Sequence, residues 1–144
     1  MEGENKMCRY IYIGIGGFLG AILRYVLKNW QVLHLSNKFY LNTVIINIIG
    51  CFILAFFLRL AFDIWEIDSD IRLGISTGFI GAFTTFSTLC KEFTVLLFSG
   101  DAFFSFFYLL LSIGAGLCAV YLGDASAKKI IIIKEILGDT SKTS

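Results

Sequence analysis

The chain reads as long apolar runs separated by short polar stretches. Phe39 to Leu58, Leu73 to Cys90 and Ala102 to Gly123 hold no charged residue, and Ile11 to Leu27 is interrupted only by Arg24. Each run reaches or approaches the roughly 20 residues that an α-helix needs to cross hydrocarbon. The pattern predicts four transmembrane helices at about 8–29, 39–60, 71–99 and 102–124, with a polar tail from Asp124 onward. Residues 1–124 would then form one helical membrane domain and 125–144 a short tail. In that tail Ile130 to Leu137, IIIIKEIL, is too short to span; it reads as a helix continuing into water or lying at the interface.

Composition agrees with the pattern. Of 144 residues 57% are apolar and 16% charged, and the mean hydropathy is +0.80, values that a soluble domain rarely tolerates. The first run is followed by no small-residue cleavage site, so span one is expected to be retained. An even number of spans puts both termini on one side. That side carries Lys6, Arg9, Arg59, Arg72, Lys128 and Lys129, against Arg24, Lys28, Lys38 and Lys91 on the other. The small excess leans toward cytoplasmic termini and is compatible with insertion in both orientations.

Several function classes recede. The four cysteines, Cys8, Cys51, Cys90 and Cys118, have neither zinc nor disulfide-framework spacing. A net charge of +1 without a basic, aromatic-interleaved stripe disfavours nucleic acid. The single histidine, His34, falls in the first loop; Glu92, beside Lys91, is the one acid within a span and is expected to be paired or near the surface. No catalytic constellation emerges.

The polar residues inside the spans carry the functional question. Gly16 and Gly20 stand four apart in span one, as do Gly17 and Ala21, a spacing that lets two helices approach closely in lipid. Arg24 either snorkels to the headgroups or lines an aqueous vestibule that attracts anions. In span two Thr43, Asn47 and Gly50 share a face; Asn47 is either interhelical glue or a donor lining a path for a hydrophilic solute.

Span three is longer than a straight crossing requires. Its glycines Gly78 and Gly81, with Ser76, Thr77, Thr84 and Thr85, predict a break whose freed carbonyls make a natural cation site, the alternative being a tolerated kink. Beyond it Phe86, Leu89 and Phe93 fall on one stripe, which is either packing or a column of electropositive ring edges beside hydroxyl donors, suited to a small hydrated anion. Ser105, Tyr108 and Ser112 form a polar face on span four, equally compatible with packing and with lining a pore.

These motifs resemble the fluoride channel family (Fluc, also called CrcB) over residues 11 to 123, in order and spacing. GGFLGAILRY is similar to its glycine-rich first helix, NTVIINIIGCF to its second-helix asparagine motif, and GFIGAFTTFSTL to its broken third helix. The resemblance implies an all-α membrane protein with four transmembrane helices and a broken third helix, forming an antiparallel dual-topology-type dimer in the plasma membrane. It would export fluoride passively through two narrow pores, with a structural sodium ion at the dimer centre. By motif, Gly81 and Thr84 match sodium-binding positions. Thr43, Asn47, Phe86, Ser87, Thr88 and Ser112 match pore-lining ones, and Arg24 the vestibule arginine.

One departure stands out: the family usually reads TTFSTF, whereas this chain reads TTFSTL, with Leu89 at the second aromatic. Phe86 alone suffices, Phe93 one turn on compensates, or a second, oppositely oriented paralogue supplies the ring in a heterodimer. A proton-coupled small multidrug-type transporter and a non-conducting accessory subunit are the rival functions. The first of these needs an acid facing the bundle interior.

Overall fold

The computed structural model describes residues 2–29, 40–65 and 67–140. His34, Lys38, Glu66 and the expected start of span two at residue 39 lie outside them. Among the described residues the regular secondary structure is all helical, with no strand. Its elements are α1 (Glu2–Asn29), α2 (Leu41–Asp63), α3 (Ser69–Leu73), a π-helical segment (Gly74–Ile80), α4 (Gly81–Phe83), α5 (Phe86–Phe98) and α6 (Ala102–Thr140). Four stretches are long and apolar enough to cross a membrane: Met7–Asn29, Leu41–Asp63, Ser69–Phe98 and Ala102–Leu137. The outer faces are apolar and exposed, as at Phe18, Phe98 and Leu110, which in lipid carries no penalty.

Two seams build the bundle. α1 lies against the π-helical segment, and α2 packs along α6. In the first seam, backbone meets backbone. A Cβ on Gly16 would run into the Gly74 carbonyl oxygen and one on Gly20 into that of Phe79, while one on Gly78 would lie 2.6 Å from the Ile13 oxygen. The four-residue spacing in α1 therefore does what small residues do in lipid: it brings two backbones to contact distance. We expect Gly20→Val to cost about 2–3 kcal/mol by overpacking, seen as a lower unfolding midpoint in detergent. Gly14→Ala, which has nothing within 4 Å to meet, should leave that midpoint nearly unchanged.

In the second seam a Cβ on Gly123 would lie 2.5 Å from the Phe52 oxygen, and Ala127 is fully buried. α6 has 39 residues, about 58 Å of helix at 1.5 Å per residue, and so outruns a hydrocarbon core of roughly 30 Å. Of the two readings of the tail, a continuous helix is the one observed. Charges cluster where the seam ends. Arg59 pairs with Asp63 at 2.7 Å and lies 3.9 Å from Asp124, which in turn pairs with Lys128 at 2.6 Å.

The remaining connections are local. Asp68 caps α3 by accepting from the Asp70 N–H at 2.8 Å, and Arg9 of α1 reaches Asp70 at 2.8 Å. The tight turn from α5 to α6 passes through Gly100 at φ +88°, a left-handed conformation that glycine alone adopts without a Cβ clash.

Candidate functional site

Sequence reasoning spread the expected break of the third span over Ser76, Thr77, Gly78, Gly81, Thr84 and Thr85, with a further half-helix from Phe86. In the structure the two glycines are helical, Gly78 within the π-helical segment and Gly81 at φ −62°, ψ −38°. The extended residues are Thr84 (φ −75°, ψ 158°) and Thr85 (φ −147°, ψ 112°), and α5 begins at Phe86. Glycine makes the preceding turns close and wide, but the departure from helical backbone needs competing hydrogen bonds, and the threonines and Asn47 supply them.

Asn47 of α2 holds Thr85 from both sides. The Thr85 N–H donates to Asn47 Oδ1 at 2.8 Å, and Asn47 Nδ2 donates to the Thr85 carbonyl at 3.1 Å. An amide carries two N–H groups, so one donor remains after the clamp is made. Asn47 thus ties α2 to the extended segment, as the interhelical reading expected, and also borders a cavity.

The clamp has a consequence next door. In an unbroken helix the Thr85 N–H would serve the Gly81 carbonyl; here that carbonyl is left with the Thr84 hydroxyl at 3.4 Å. The Thr84 N–H and hydroxyl both turn back to Ile80, at 3.0 and 3.1 Å. Thr85 also caps α5, its Oγ1 accepting from the Thr88 N–H at 3.2 Å and donating to Thr88 Oγ1 at 3.0 Å, with Ser87 Oγ at 3.3 Å. Ser87 and Thr88 therefore belong to one hydroxyl cluster around the cap.

A cavity of about 380 Å³ opens beside this segment, bordered by Asn47, Thr85, Phe86, Leu89, Ser112 and Gly116 among others. Two features of its wall are unusual. Ser112 Oγ is buried with no hydrogen-bond partner, a state that polar groups in an apolar interior rarely keep. Phe86 is 75% exposed although it sits mid-span.

Further along the same three helices lies Glu92, which sequence reasoning expected to be paired or near the surface and which is paired. Glu92 is buried, at 6% exposure, rather than near the surface, and its cationic partner is Lys28 of α1, Nζ to Oε1 3.7 Å, not the adjacent Lys91. Thr43 Oγ1 donates to Glu92 Oε1 at 2.9 Å and the Tyr108 hydroxyl to Oε2 at 2.7 Å. A buried carboxylate is tolerable only with such partners. The signal was present: Thr85, Thr88 and Glu92 stand at i, i+3, i+7, the spacing that places one face of α5 against the Thr43–Asn47 face of α2 and the Ser105–Tyr108–Ser112 face of α6. Thr43→Val, which removes one hydroxyl donor and little volume, should lower stability by about 1–2 kcal/mol, measured by thermal unfolding in detergent.

The remaining residues divide. Gly81 and Thr84 sit together at the extended segment, and Thr43, Asn47, Thr88 and Ser112 lie along the polar column. Arg24 is half-buried on α1, one turn before Lys28, and does not border the cavity. Leu89 is buried and packs with Val44, Leu96 and Tyr108. Phe93 does not border this cavity: its ring meets Phe106 of α6 edge-on, 5.5 Å between centroids at 81°.

Four helices long and apolar enough to cross a membrane, with Asn47 tied to two extended residues between α4 and α5, define a small multi-pass membrane protein. The chain belongs to the CrcB family: residues 11–124 match the model described as CrcB-like protein, Camphor Resistance. Among its relatives, the fluoride-specific ion channel FluC 2 of Carboxydothermus hydrogenoformans is 38% identical over 122 residues, 85% of this chain and 89% of that protein. FluC of Chlorobium chlorochromatii is 35% identical over 124 residues, 86% and 95% respectively. FluC of Rhizobium etli is 30% identical over 125 residues, 87% of this chain and 100% of the relative.

Proposed function

We propose that this chain is a fluoride-selective channel, not an enzyme, that lets cytoplasmic fluoride leave the cell down its electrochemical gradient. Family membership supports the ion. The observation that carries the site is the cavity bordered by Asn47, Phe86 and Ser112, of which Asn47 keeps a spare N–H and Ser112 a hydroxyl without a hydrogen-bond partner. Hydroxyl and amide donors can replace water around a small anion, and the electropositive edge of a phenyl ring adds to them. Hydrogen fluoride crosses lipid uncharged and dissociates in a less acidic cytoplasm, trapping the ion. A membrane potential then drives the anion out at about 2.3 kcal/mol per 100 mV.

The working unit we propose is a dimer of two oppositely oriented copies in the plasma membrane. The 75% exposure of Phe86 at mid-membrane supports this, because a ring this open to lipid encloses no path until a second copy covers its outer side. The weak positive-inside excess supports cytoplasmic termini for one of the two orientations. A structural sodium ion at the dimer centre suits the extended segment. Among the described residues no carboxylate, histidine or cysteine cluster is built to hold a metal, so oxygen ligands would come from the backbone. The Gly81 carbonyl, freed by the Asn47 clamp, is the kind that coordinates sodium in unwound membrane helices. Gly81 and Thr84 would hold the ion from each copy, and it would contribute a fixed positive charge there.

The deciding experiment is fluoride efflux from liposomes containing only this purified chain, with a potassium ionophore clamping the voltage and chloride as the control anion. Fluoride efflux without chloride efflux is expected. Silence relieved by an oppositely oriented paralogue would replace the homodimer by a heterodimer; silence with any partner would remove the channel reading.

A further inference from the structure

Lys28 ends α1, with a half-exposed side chain whose ammonium lies 3.7 Å from the buried Glu92 carboxylate. Three elements besides α5 converge on Glu92. α1 brings Lys28, α2 brings Thr43, and α6 brings Tyr108, whose ring meets that of Tyr40 at 6.4 Å. Lys91, its sequence neighbour, is exposed and forms no ion pair with it among the described residues.

A carboxylate in this place is a problem for an anion path. It repels the permeating ion, and it takes up the donated protons of Thr43 and Tyr108 that an anion would use. A cation within about 4 Å offsets that repulsion, most strongly where water is scarce. A lysine suits this position because its stem reaches inward from the helix end while its head keeps contact with solvent. At 3.7 Å the ammonium is close enough to balance Glu92 and loose enough to meet an arriving anion as well.

We propose that Lys28 is a positioning residue of the permeation path. It balances the Glu92 charge from the mouth, so that the Thr43 and Tyr108 hydroxyls can be shared with a passing fluoride ion. This inference rests on the fluoride-channel reading.

The test compares Lys28→Met, Lys28→Gln and Lys28→Arg in the liposome efflux assay, with the infrared carboxylate stretch of Glu92, identified by difference against Glu92→Gln, as a second readout. The Met and Gln variants should lose about fivefold in fluoride efflux and shift the carboxylate band, whereas Arg, which keeps the charge and donors, should restore both. Efflux at the wild-type rate in Met and Gln overturns the proposal, and so does an Arg variant as slow as Met, which would assign Lys28 a packing role. An unshifted band in Met and Gln overturns it as well. Wild-type protein that passes no fluoride, with the band still shifted in the Met and Gln variants, would strike down the channel reading while keeping the Lys28–Glu92 coupling.

Discussion

Asn47→Leu is expected to abolish fluoride efflux and to destabilise the protein. Leucine is similar in size to asparagine but offers neither donor nor acceptor, so the Thr85 N–H and carbonyl would both lose the partners they have at 2.8 and 3.1 Å. Each backbone group left unpaired in an apolar interior costs about 1–3 kcal/mol, which puts the loss at about 2–6 kcal/mol. The alternative open to the chain is to return Thr85 to helical backbone and give its N–H back to Gly81. That would close the Gly81 carbonyl and turn Phe86 away from its present place. Asn47→Asp keeps the acceptor for the Thr85 N–H and loses the donor, so it should fall between Leu and wild type in unfolding midpoint. An Asn47→Leu protein that conducts fluoride normally would show that the clamp is dispensable.

Phe86→Ile is expected to leave the single chain folded and to lower fluoride efflux at least about tenfold, the scale on which a ring's directional contacts exceed those of an aliphatic side chain of similar bulk. The separation of the two effects follows from exposure. A residue 75% exposed within its own chain contributes little to that chain's packing, whereas it borders the cavity where fluoride is proposed to pass. Isoleucine retains the apolar surface but lacks a polarised edge. Efflux and size-exclusion profiles measured together decide the matter. Lost efflux with an unchanged dimer supports the ring-edge role, lost dimer makes Phe86 an assembly residue, and unchanged efflux removes it from the path. Leu89, packed with Val44, Leu96 and Tyr108, contributes to the core of its own subunit, so Phe86 is the aromatic of this pair on which the test bears.

Much of this protein is legible in its sequence because lipid imposes a simple rule. Backbone polar groups must be satisfied within the segment, so uncharged runs of membrane length become helices. The four spans, the small-residue seam at Gly16 and Gly20, and the polar faces of α2 and α6 all follow from run length and helical spacing. So does the presence of an anomaly in the third span. Sequence bounded it only to the weak helix formers and hydroxyls from Ser76 to Thr85. That the backbone leaves the helix at Thr84 and Thr85 was decided by a partner on another helix, Asn47, which rewards extension there.

Glu92 is the clearer case. Its neighbour in sequence is Lys91, and by adjacency it reads as a paired or surface acid. On a helix, however, adjacent residues point about 100° apart, and α5 turns Glu92 inward among Thr43, Tyr108 and Lys28, which lie 49, 16 and 64 positions away in the chain. Sequence by itself determined what must be helical, what must be buried from water and which chemical groups the bundle has to accommodate, since these depend on solvation and on periods of a few residues. Tertiary structure alone decided which hydroxyl meets which carboxylate, which carbonyl loses its helical N–H and which ring stays uncovered, because each depends on the register between helices distant in sequence.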